Sequence, residues 1–351
     1  MPEEILATFS VRRLAILAEN GEADEALLPA LDEAGYKRMY ELMVQTRTFD
    51  ERALLLQREG RLGTYPPNRG QEACQVGSAL ALDPADWVVP SFREMGVHLT
   101  MGYPMPKLFL YWAGDERGLH PETPLNILPV CVSVGSHIPH AVGLAMAARY
   151  RRDPVVVAAY FGDGATSKGD FHEALNMAGV FRAPVVFICQ NNQWAISVPL
   201  SEQTAAASLA QKAVGYGFEG IQVDGNDVLA VYRATAEALE RARRGDGPTL
   251  IECLTYRVAD HTTADDAGRY RSPEEVAVWQ AKDPILRLER FLTRRGWWNP
   301  EYAKQVHAEA AASVDGAVTA MEQFPPPEPA DMFAHTLETP TPRQIQQQKE
   351  L

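Results

Sequence analysis

Two short apolar segments that each end in polar residues constrain the fold of this chain more than any other feature. The first, Val155–Phe161, runs without polar interruption into Gly162–Gly164, and the second, Val185–Cys189, runs into Gln190–Asn192. A helix-compatible stretch, Asp170–Phe181, lies between them. Apolar runs of this length are typical of buried parallel strands. The order strand, helix, strand therefore predicts a βαβ unit whose polar motifs meet at the carboxyl ends of the strands, where open α/β sheets bind ligands.

Asp163 and Asn192 are then expected to lie close together at that edge. Their side chains offer carboxylate and amide oxygens, which suit Mg²⁺, a cation that usually takes phosphate oxygens as further ligands. Gly162 and Gly164, on either side of Asp163, allow close approach of the backbone and conformations that other residues avoid. The helix N-terminus near Asp170 would add N–H donors for an anion. Two ordinary turns are the alternative, but the pair of motifs favours a diphosphate held through a divalent cation.

Composition narrows the class of protein. The chain has 351 residues, of which 46% are hydrophobic, and a net charge of −13. It can bury a large core, and its acidity argues against nucleic acid as a partner, because phosphate binding needs a basic surface. No apolar run reaches the roughly 18 residues of a membrane helix, so no membrane partner is expected. The four cysteines show no metal or disulfide spacing and the N-terminus lacks a targeting composition, which predicts a cytoplasmic protein with reduced thiols.

The pattern of strands and helices predicts three segments. It continues without a linker from about residue 128 to residue 257, so we expect one large α/β domain over residues 61–282, with a mostly parallel sheet flanked by helices. Residues 1–60 are expected to form an N-terminal helical extension, and residues 283–351 a C-terminal helical extension and arm. Residues 258–273 lack periodicity and are rich in Asp, Thr and Gly around His261, which indicates an exposed functional loop.

These motifs resemble the alpha subunit of the thiamine-diphosphate-dependent, decarboxylating component of 2-oxoacid dehydrogenase complexes. The resemblance runs from about Tyr40 to the C-terminal helices. Gly162–Gly164 with Asn191–Asn192 is similar to the cofactor motif of that superfamily, and Tyr256–Asp266 followed by Tyr270–Ser272 is the most specific part. The resemblance implies a thiamine-diphosphate-binding fold and the cofactors thiamine diphosphate and Mg²⁺. It also implies oxidative decarboxylation of a small-molecule 2-oxoacid, with transfer of the acyl group to lipoyl.

The resemblance also assigns roles to individual positions. Asp163 and Asn192 would bind Mg²⁺ through their side chains, and Trp194 through its backbone carbonyl. Arg93 would pair with the terminal phosphate of the cofactor, as a guanidinium does well. Phe92, where relatives have tyrosine, lacks the hydroxyl for a further phosphate bond. The remaining cofactor-binding positions are Val134, Gly162, Gly164, Ala165, Gln190, Ile196 and His261.

Among these, Val134 would support the bent cofactor, Ile196 would lie near its aminopyrimidine ring, and Gln190 could face the diphosphate. His261 is the catalytic candidate, because the resemblance places it on the loop over the active site, where it would contact phosphate and assist transfer to the lipoyl group. Thr262 replaces a serine that mitochondrial relatives phosphorylate, so phosphoregulation is not inferred. No monovalent ion is expected, since residues 131–136 depart from the ion-binding loop of the mitochondrial branched-chain enzymes.

The same resemblance implies two protein partners. One is a beta subunit, which would carry the glutamate that activates the aminopyrimidine, so this chain alone is expected to be inactive. The active form would be a heterotetramer of two alpha and two beta subunits, with the cofactor at their interface. The other partner is the lipoyl-bearing acyltransferase core of the complex.

Two substrates compete. Glu122–Pro129 resembles the corresponding segment of bacterial pyruvate dehydrogenases. Asp163 also favours a pyruvate dehydrogenase, since many branched-chain enzymes have Glu at this position. Met43–Arg52, Val223–Asp227 and Arg295–Trp298 look more like branched-chain 2-oxoacid dehydrogenases, whose substrate is 3-methyl-2-oxobutanoate. Much of the acyl pocket would come from the beta chain. Pyruvate is the preferred expectation and the branched-chain acid the alternative.

The sequence leaves two other classes of protein to consider. A nicotinamide-dependent oxidoreductase would need Gly-x-Gly-x-x-Gly after its first strand, but Ser167 stands where the third glycine would be. A non-catalytic paralogue that has kept the fold is the remote alternative. The presence of Asp163, Asn192, Arg93 and His261 speaks against it.

Overall fold

The computed structural model describes residues 3–121, 124–334 and 337–350. Glu122 and Thr123, which open the segment similar to pyruvate dehydrogenases, lie outside the described residues. The strands are β1 (Arg12–Leu14), β2 (Trp87–Val89), β3 (Val157–Gly162), β4 (Val185–Asn191), β5 (Trp194–Ala195), β6 (Val198–Pro199), β7 (Glu219–Asp224) and β8 (Thr249–Leu254). Within the described residues, the α-helices are α1 (Glu33–Arg58), α2 (Glu72–Leu80), α3 (Met95–Thr100), α4 (Met105–Trp112), α5 (His137–Arg151), α6 (Gly169–Phe181), α7 (Leu200–Gln203), α8 (Val228–Arg243), α9 (Pro273–Gln280), α10 (Pro284–Arg294), α11 (Pro300–Glu322), α12 (Asp331–Ala334) and α13 (Pro342–Lys349).

Six of the strands form one parallel sheet in the order β1-β7-β8-β4-β3-β2. The predicted βαβ unit is confirmed: β3 and β4 pair in parallel from Val157 opposite Val185 to Gly162 opposite Gln190, and α6 connects them. Strands β5 and β6 form a separate antiparallel hairpin after β4. The register places the ends of β3 and β4 side by side, as the polar motifs require.

Alternate residues along the strands face two separate hydrophobic layers. Ala158 and Tyr160 of β3 pack with α1, α2, α8 and α10, whereas Ala159 and Phe161 pack with α5 and α6. Because helices cover both faces of the sheet, every residue of β4 is buried. This arrangement explains why the sequence of the central strands does not alternate with polar residues.

The N-terminal segment holds a strand that the sequence pattern does not predict. Three residues, Arg12–Leu14, pair with β7 and form an edge of the sheet. They are too short and too exposed to show an apolar period, so only the neighbouring strand defines them. The following backbone N–H groups, of Ile16 and Leu17, donate to the carboxylate of Asp227 at 2.6 Å.

Helices from both ends of the chain pack together over the sheet. Helix α1, which lies in the predicted N-terminal extension, contacts α10 and α11, and Arg47 of α1 pairs with Asp283 just before α10. The division of the chain at residues 60 and 283 stays a prediction. No helix in the described ranges is long and apolar enough to cross a membrane.

Candidate active site

A cleft of about 220 Å³ opens at the carboxyl ends of β3 and β4. All the residues for which the sequence predicts a role at the cofactor or the metal line it. They are Phe92, Arg93, Val134, Gly162, Asp163, Gly164, Ala165, Gln190, Asn192, Trp194, Ile196 and His261. The fold thus brings five separate parts of the chain to one place, while the role of each residue stays a prediction.

The carboxylate and the amide of the two motifs meet as their strands end. Asp163 begins a 3₁₀ turn directly after β3, and Asn192 follows β4. The carboxylate of Asp163 is 1% exposed, and its Oδ2 accepts a hydrogen bond from Nε2 of Gln203 at 2.7 Å. Burial raises the pKa of Asp163, while hydrogen bonds from Gln203 and from the backbone of Asn192 act in the opposite direction. A cation beside this carboxylate would favour its charged form.

The hairpin that follows Asn192 has a strained backbone. Gln193 and Ile196 have φ angles of 73° and 56°, a left-handed region that a β-branched residue such as Ile196 rarely enters. Such a residue costs about 1–3 kcal/mol and persists only where its surroundings hold it. Arg257 does so here, because its Nη1 donates to the carbonyl of Trp194 at 3.2 Å and its Nη2 to the carbonyl of Ile196 at 2.7 Å.

The two glycines beside Asp163 differ in what they contribute. Neither has a left-handed backbone, so the expectation that both supply conformations barred to other residues is wrong, because the strand continues smoothly into the 3₁₀ turn. A Cβ on Gly164 would lie 2.8 Å from the Cβ of Ala195, whereas one on Gly162 would meet no atom closer than 3.9 Å. Gly164 is therefore required for close packing of the hairpin, and Gly162 is not.

Arg93 and His261 contact each other in the cleft. The guanidinium of Arg93 donates from Nη1 to the carbonyl of Pro67 at 2.6 Å, and from Nη2 to the carbonyl of His261 at 3.0 Å. Its Nη2 also lies 3.1 Å from Nδ1 of His261. A guanidinium has only donors, so Nδ1 accepts and the proton of a neutral ring is on Nε2.

Burial and positive charge shift the pKa values of both groups downward. Burial and the charge of Arg257 lower the pKa of Arg93 to about 10, which leaves it charged at neutral pH. Burial, Arg93 and Arg257 lower the pKa of His261 to about 4. The cleft therefore presents a buried cation next to a neutral imidazole whose Nε2–H is available as a donor.

The loop after β8 is only partly exposed, in contrast to the expectation for residues 258–273. Ala267 is buried, while Asp260 is exposed. The backbone N–H of His261 donates to Asp265 at 2.9 Å, and the hydroxyl of Tyr270 donates to the same carboxylate. The polar residues that suggest solvent exposure in the sequence thus bond to one another and hold the loop over the cleft.

Sequence reasoning missed four further residues that line the cleft, namely Gln71, Ser91, Glu94 and Ala195. Gln71 accepts from Nδ2 of Asn192 at 3.1 Å, while its own Nε2 is buried and finds no hydrogen-bond partner in the part of the chain that the structure describes. Glu94 accepts from Nε2 of Gln190 at 2.8 Å, and burial raises its pKa to about 7. The position of Glu94 directly after Arg93 was an available signal, but Gln71 shows only the pattern of a helix start.

The chain is similar to known proteins over most of its length. A family model described as dehydrogenase E1 component matches residues 40–330. The chain belongs to this family. The family that the motifs predict is thereby confirmed, and so is the enzyme class, a 2-oxoacid dehydrogenase component on an α/β fold. Membership of the E1 family implies thiamine diphosphate as cofactor, a beta subunit and a complex with an acyltransferase core.

Relatives of this E1 chain carry two different names. The 3-methyl-2-oxobutanoate dehydrogenase subunit alpha of Mycobacterium tuberculosis is 48% identical over 311 residues, which cover 88% of this chain and 85% of the relative. The pyruvate dehydrogenase E1 component subunit alpha of Acholeplasma laidlawii is 43% identical over 335 residues, 95% of this chain and 97% of the relative. The protein of the same name from Staphylococcus aureus is 44% identical over 305 residues, 86% and 82%.

Proposed function

We propose that this chain is the alpha subunit of a pyruvate dehydrogenase E1 component, which uses thiamine diphosphate and Mg²⁺ and transfers the acyl group to lipoyl. One observation carries the proposal: the predicted residues converge on a cleft that holds a buried arginine, Arg93, which pairs with no carboxylate among the described residues. A buried cation of this kind is suited to a phosphate group.

The donor set at the strand ends fits Mg²⁺. In the described part of the chain, no group of three or more His, Cys, Asp or Glu side chains could hold a metal ion by itself. Asp163, Asn192 and the carbonyl of Trp194 offer one carboxylate and two neutral oxygens, so a cation here would need oxygens from a ligand. Mg²⁺ bound through one carboxylate plus phosphate oxygens is the usual arrangement, and a diphosphate would supply them.

The remaining polar groups fit the diphosphate. Arg93 would bind a phosphate oxygen, and the unpaired Nε2 of Gln71 is a buried donor that an anion would satisfy. When bound, thiamine diphosphate would supply a nucleophilic carbon and accept the electron pair released with carbon dioxide. The residues of this chain would hold and orient it, and the Nε2–H of His261 would donate a hydrogen bond to a phosphate or a reacting oxygen.

Apolar residues at the mouth of the cleft support a partner there. Val134 and Ile196, which line the cleft, are each more than 40% exposed, and so are Val132 and Val198, two residues from them along the chain. Exposed apolar patches are typical of interfaces. We propose that the beta subunit covers them in a heterotetramer of two alpha and two beta chains, and that this chain alone is inactive. The proposed cytoplasmic location agrees with the four free cysteines.

The second candidate substrate is 3-methyl-2-oxobutanoate, because the relative from Mycobacterium tuberculosis, which is 48% identical, is named for it. This acid should be compared directly with pyruvate. The test is reduction of an artificial electron acceptor by the chain alone and by the chain co-purified with its beta subunit, with thiamine diphosphate and Mg²⁺. Turnover only by the pair, with a higher kcat/KM for pyruvate, supports the proposal. A preference for the branched acid selects the second candidate, and turnover by the chain alone contradicts the need for a partner.

A further inference from the structure

We propose that Asp50 is a positioning residue for the cleft. It fixes the connecting segment, residues 65–70, which in turn holds both Arg93 and the loop that carries His261. The part of this inference that concerns cofactor binding rests on the proposed function, whereas the part that concerns the loop does not. Asp50 lies on α1, outside the cleft lining, and no sequence motif points to it.

The carboxylate of Asp50 is fully buried and accepts three hydrogen bonds from the connecting segment alone. Its Oδ1 accepts from the hydroxyl of Tyr65 at 2.8 Å and from the backbone N–H of Asn68 at 2.9 Å. Its Oδ2 accepts from the backbone N–H of Arg69 at 3.2 Å. A buried carboxylate is tolerated only when it is hydrogen-bonded, so its burial and the shape of this segment depend on each other.

The connecting segment is bonded in turn to the cleft. The carbonyl of Pro67 accepts the 2.6 Å hydrogen bond from Arg93. Tyr65 and Thr263 bond in both directions, since the N–H of Tyr65 donates to Oγ1 of Thr263 at 3.1 Å and the N–H of Thr263 donates to the carbonyl of Tyr65 at 3.0 Å. The N–H of Val258 donates to the carbonyl of Arg69 at 3.3 Å. These contacts hold the loop on both sides of His261.

A second buried carboxylate offers a matched control. Asp227 is also fully buried. Within the described ranges, the hydrogen-bond donors to its carboxylate are all backbone N–H groups, and they lie outside the cleft. These donors belong to Ile16, Leu17, Leu229 and Ala230. Replacing either aspartate by asparagine removes one acceptor oxygen from a buried site, so both changes should reduce stability. Only the change at Asp50 should loosen the loop over the cleft.

The experiment compares Asp50→Asn and Asp227→Asn in the full chain co-purified with its beta subunit. Hydrogen–deuterium exchange without cofactor is followed in fragments covering residues 65–70, 258–265, 15–18 and 228–231. We expect Asp50→Asn to accelerate exchange in the first two and Asp227→Asn only in the last two. Calorimetric titration with thiamine diphosphate and Mg²⁺ should show about tenfold weaker binding for Asp50→Asn and unchanged binding for Asp227→Asn.

Tyr65→Phe serves as the second variant, because it removes one of the three bonds to Asp50 and keeps the ring. If Asp50→Asn does not fold, accelerated exchange over residues 258–265 in Tyr65→Phe supports the inference and unchanged exchange overturns it. Faster exchange at residues 65–70 with an unchanged loop also overturns it, as does equal loosening of the loop in Asp227→Asn. Failure of the wild-type pair to bind thiamine diphosphate would contradict the proposed function and leave the exchange results to decide the positioning role.

Discussion

Two arginines in this chain show how the same type of side chain can stabilise one region and prepare another for binding. Arg47, where α1 meets α2 and α10, donates to Glu72 at 2.8 Å and to Asp283 at 2.6 Å. Burial by itself would lower the pKa of Arg47, but these two carboxylates raise it above its usual range. The positive charge at this junction is fully matched by negative charge.

Arg93 in the cleft has the opposite environment. Within the described residues, no side-chain carboxylate lies within 4 Å of its guanidinium nitrogens, which contact only carbonyl oxygens and the ring of His261. Burial and the nearby Arg257 lower its pKa. Within the described residues, the guanidinium of Arg93 is thus a buried cation that no carboxylate contacts, unlike that of Arg47, and such a charge reduces stability and favours an anion.

The largest expected effect is on stability at the junction. Arg47→Met would leave the buried Glu72 and the partly buried Asp283 without their cation. Removing one partner of a fully buried ion pair costs about 3–5 kcal/mol, so we expect a loss near the lower end, about 3 kcal/mol. Urea unfolding of the purified chain measures this loss in the free energy of unfolding. Arg244→Met is the control, because the pair of Arg244 with Glu240 is exposed and worth at most about 1 kcal/mol. A loss as small as the control's would show that the two carboxylates do not depend on Arg47.

The next effect is on binding in the cleft. Arg93→Met should weaken the binding of thiamine diphosphate with Mg²⁺ by about 100-fold, because a charged hydrogen bond to phosphate is lost. Its free energy of unfolding should fall by less than about 1 kcal/mol, since removing an unmatched buried charge offsets the hydrogen bonds lost by two carbonyls. Calorimetry and urea unfolding measure the two quantities. A stability loss equal to that of Arg47→Met would show that Arg93 stabilises the fold as much as Arg47 does, and would contradict the contrast between them.

A smaller effect should come from the strained hairpin. Ile196→Gly removes the side chain from a left-handed position and should raise the free energy of unfolding by about 0.5–1 kcal/mol. Cofactor binding should weaken a few-fold, because the turn beside Trp194 becomes mobile. Val198→Gly, in the same hairpin without a left-handed φ, is the control and should lower stability. A destabilised Ile196→Gly would mean that the cleft does not store strain.

The last effect concerns pH. The pKa of His261 is about 4 in the folded chain and about 6.5 when unfolded, so between these values the unfolded chain binds the extra proton. Stability from His261 is therefore fully present above pH 6.5 and is lost as the pH falls toward 4. Between pH 6.5 and pH 4, the free energy of unfolding of the wild type should fall by up to about 1 kcal/mol more than that of His261→Gln. The effect is small because solvent screens a partly exposed ring. Urea unfolding at pH 4.5 and pH 7 tests this.

The same measurement in an Arg93→Met background tests how far the charge of Arg93 controls the pKa of His261. Without the charge of Arg93, the pKa of His261 should rise toward its ordinary value, and the dependence on pH should become smaller. A dependence that stays the same would show that burial alone controls the imidazole.

Local patterns made much of the fold predictable. The apolar runs before Gly162 and Gln190 form β3 and β4, because strands buried on both faces carry a local composition that needs no knowledge of distant residues. Strand β1 could not be predicted in this way, since three exposed residues become a strand only by pairing with β7. The twelve predicted residues of the cleft came largely from family resemblance, and the structure places all of them at its walls.

The sequence by itself determined which residue types end the central strands and therefore which family the chain belongs to. Tertiary structure alone decided the electrostatic state of those residues. Nothing local distinguishes Arg47 from Arg93, and nothing local connects Asp50 with Thr263 or Gln71 with Asn192. The physical reason is that charge compensation and hydrogen bonding depend on atoms from distant segments, whereas strand and helix patterns depend on neighbours along the chain.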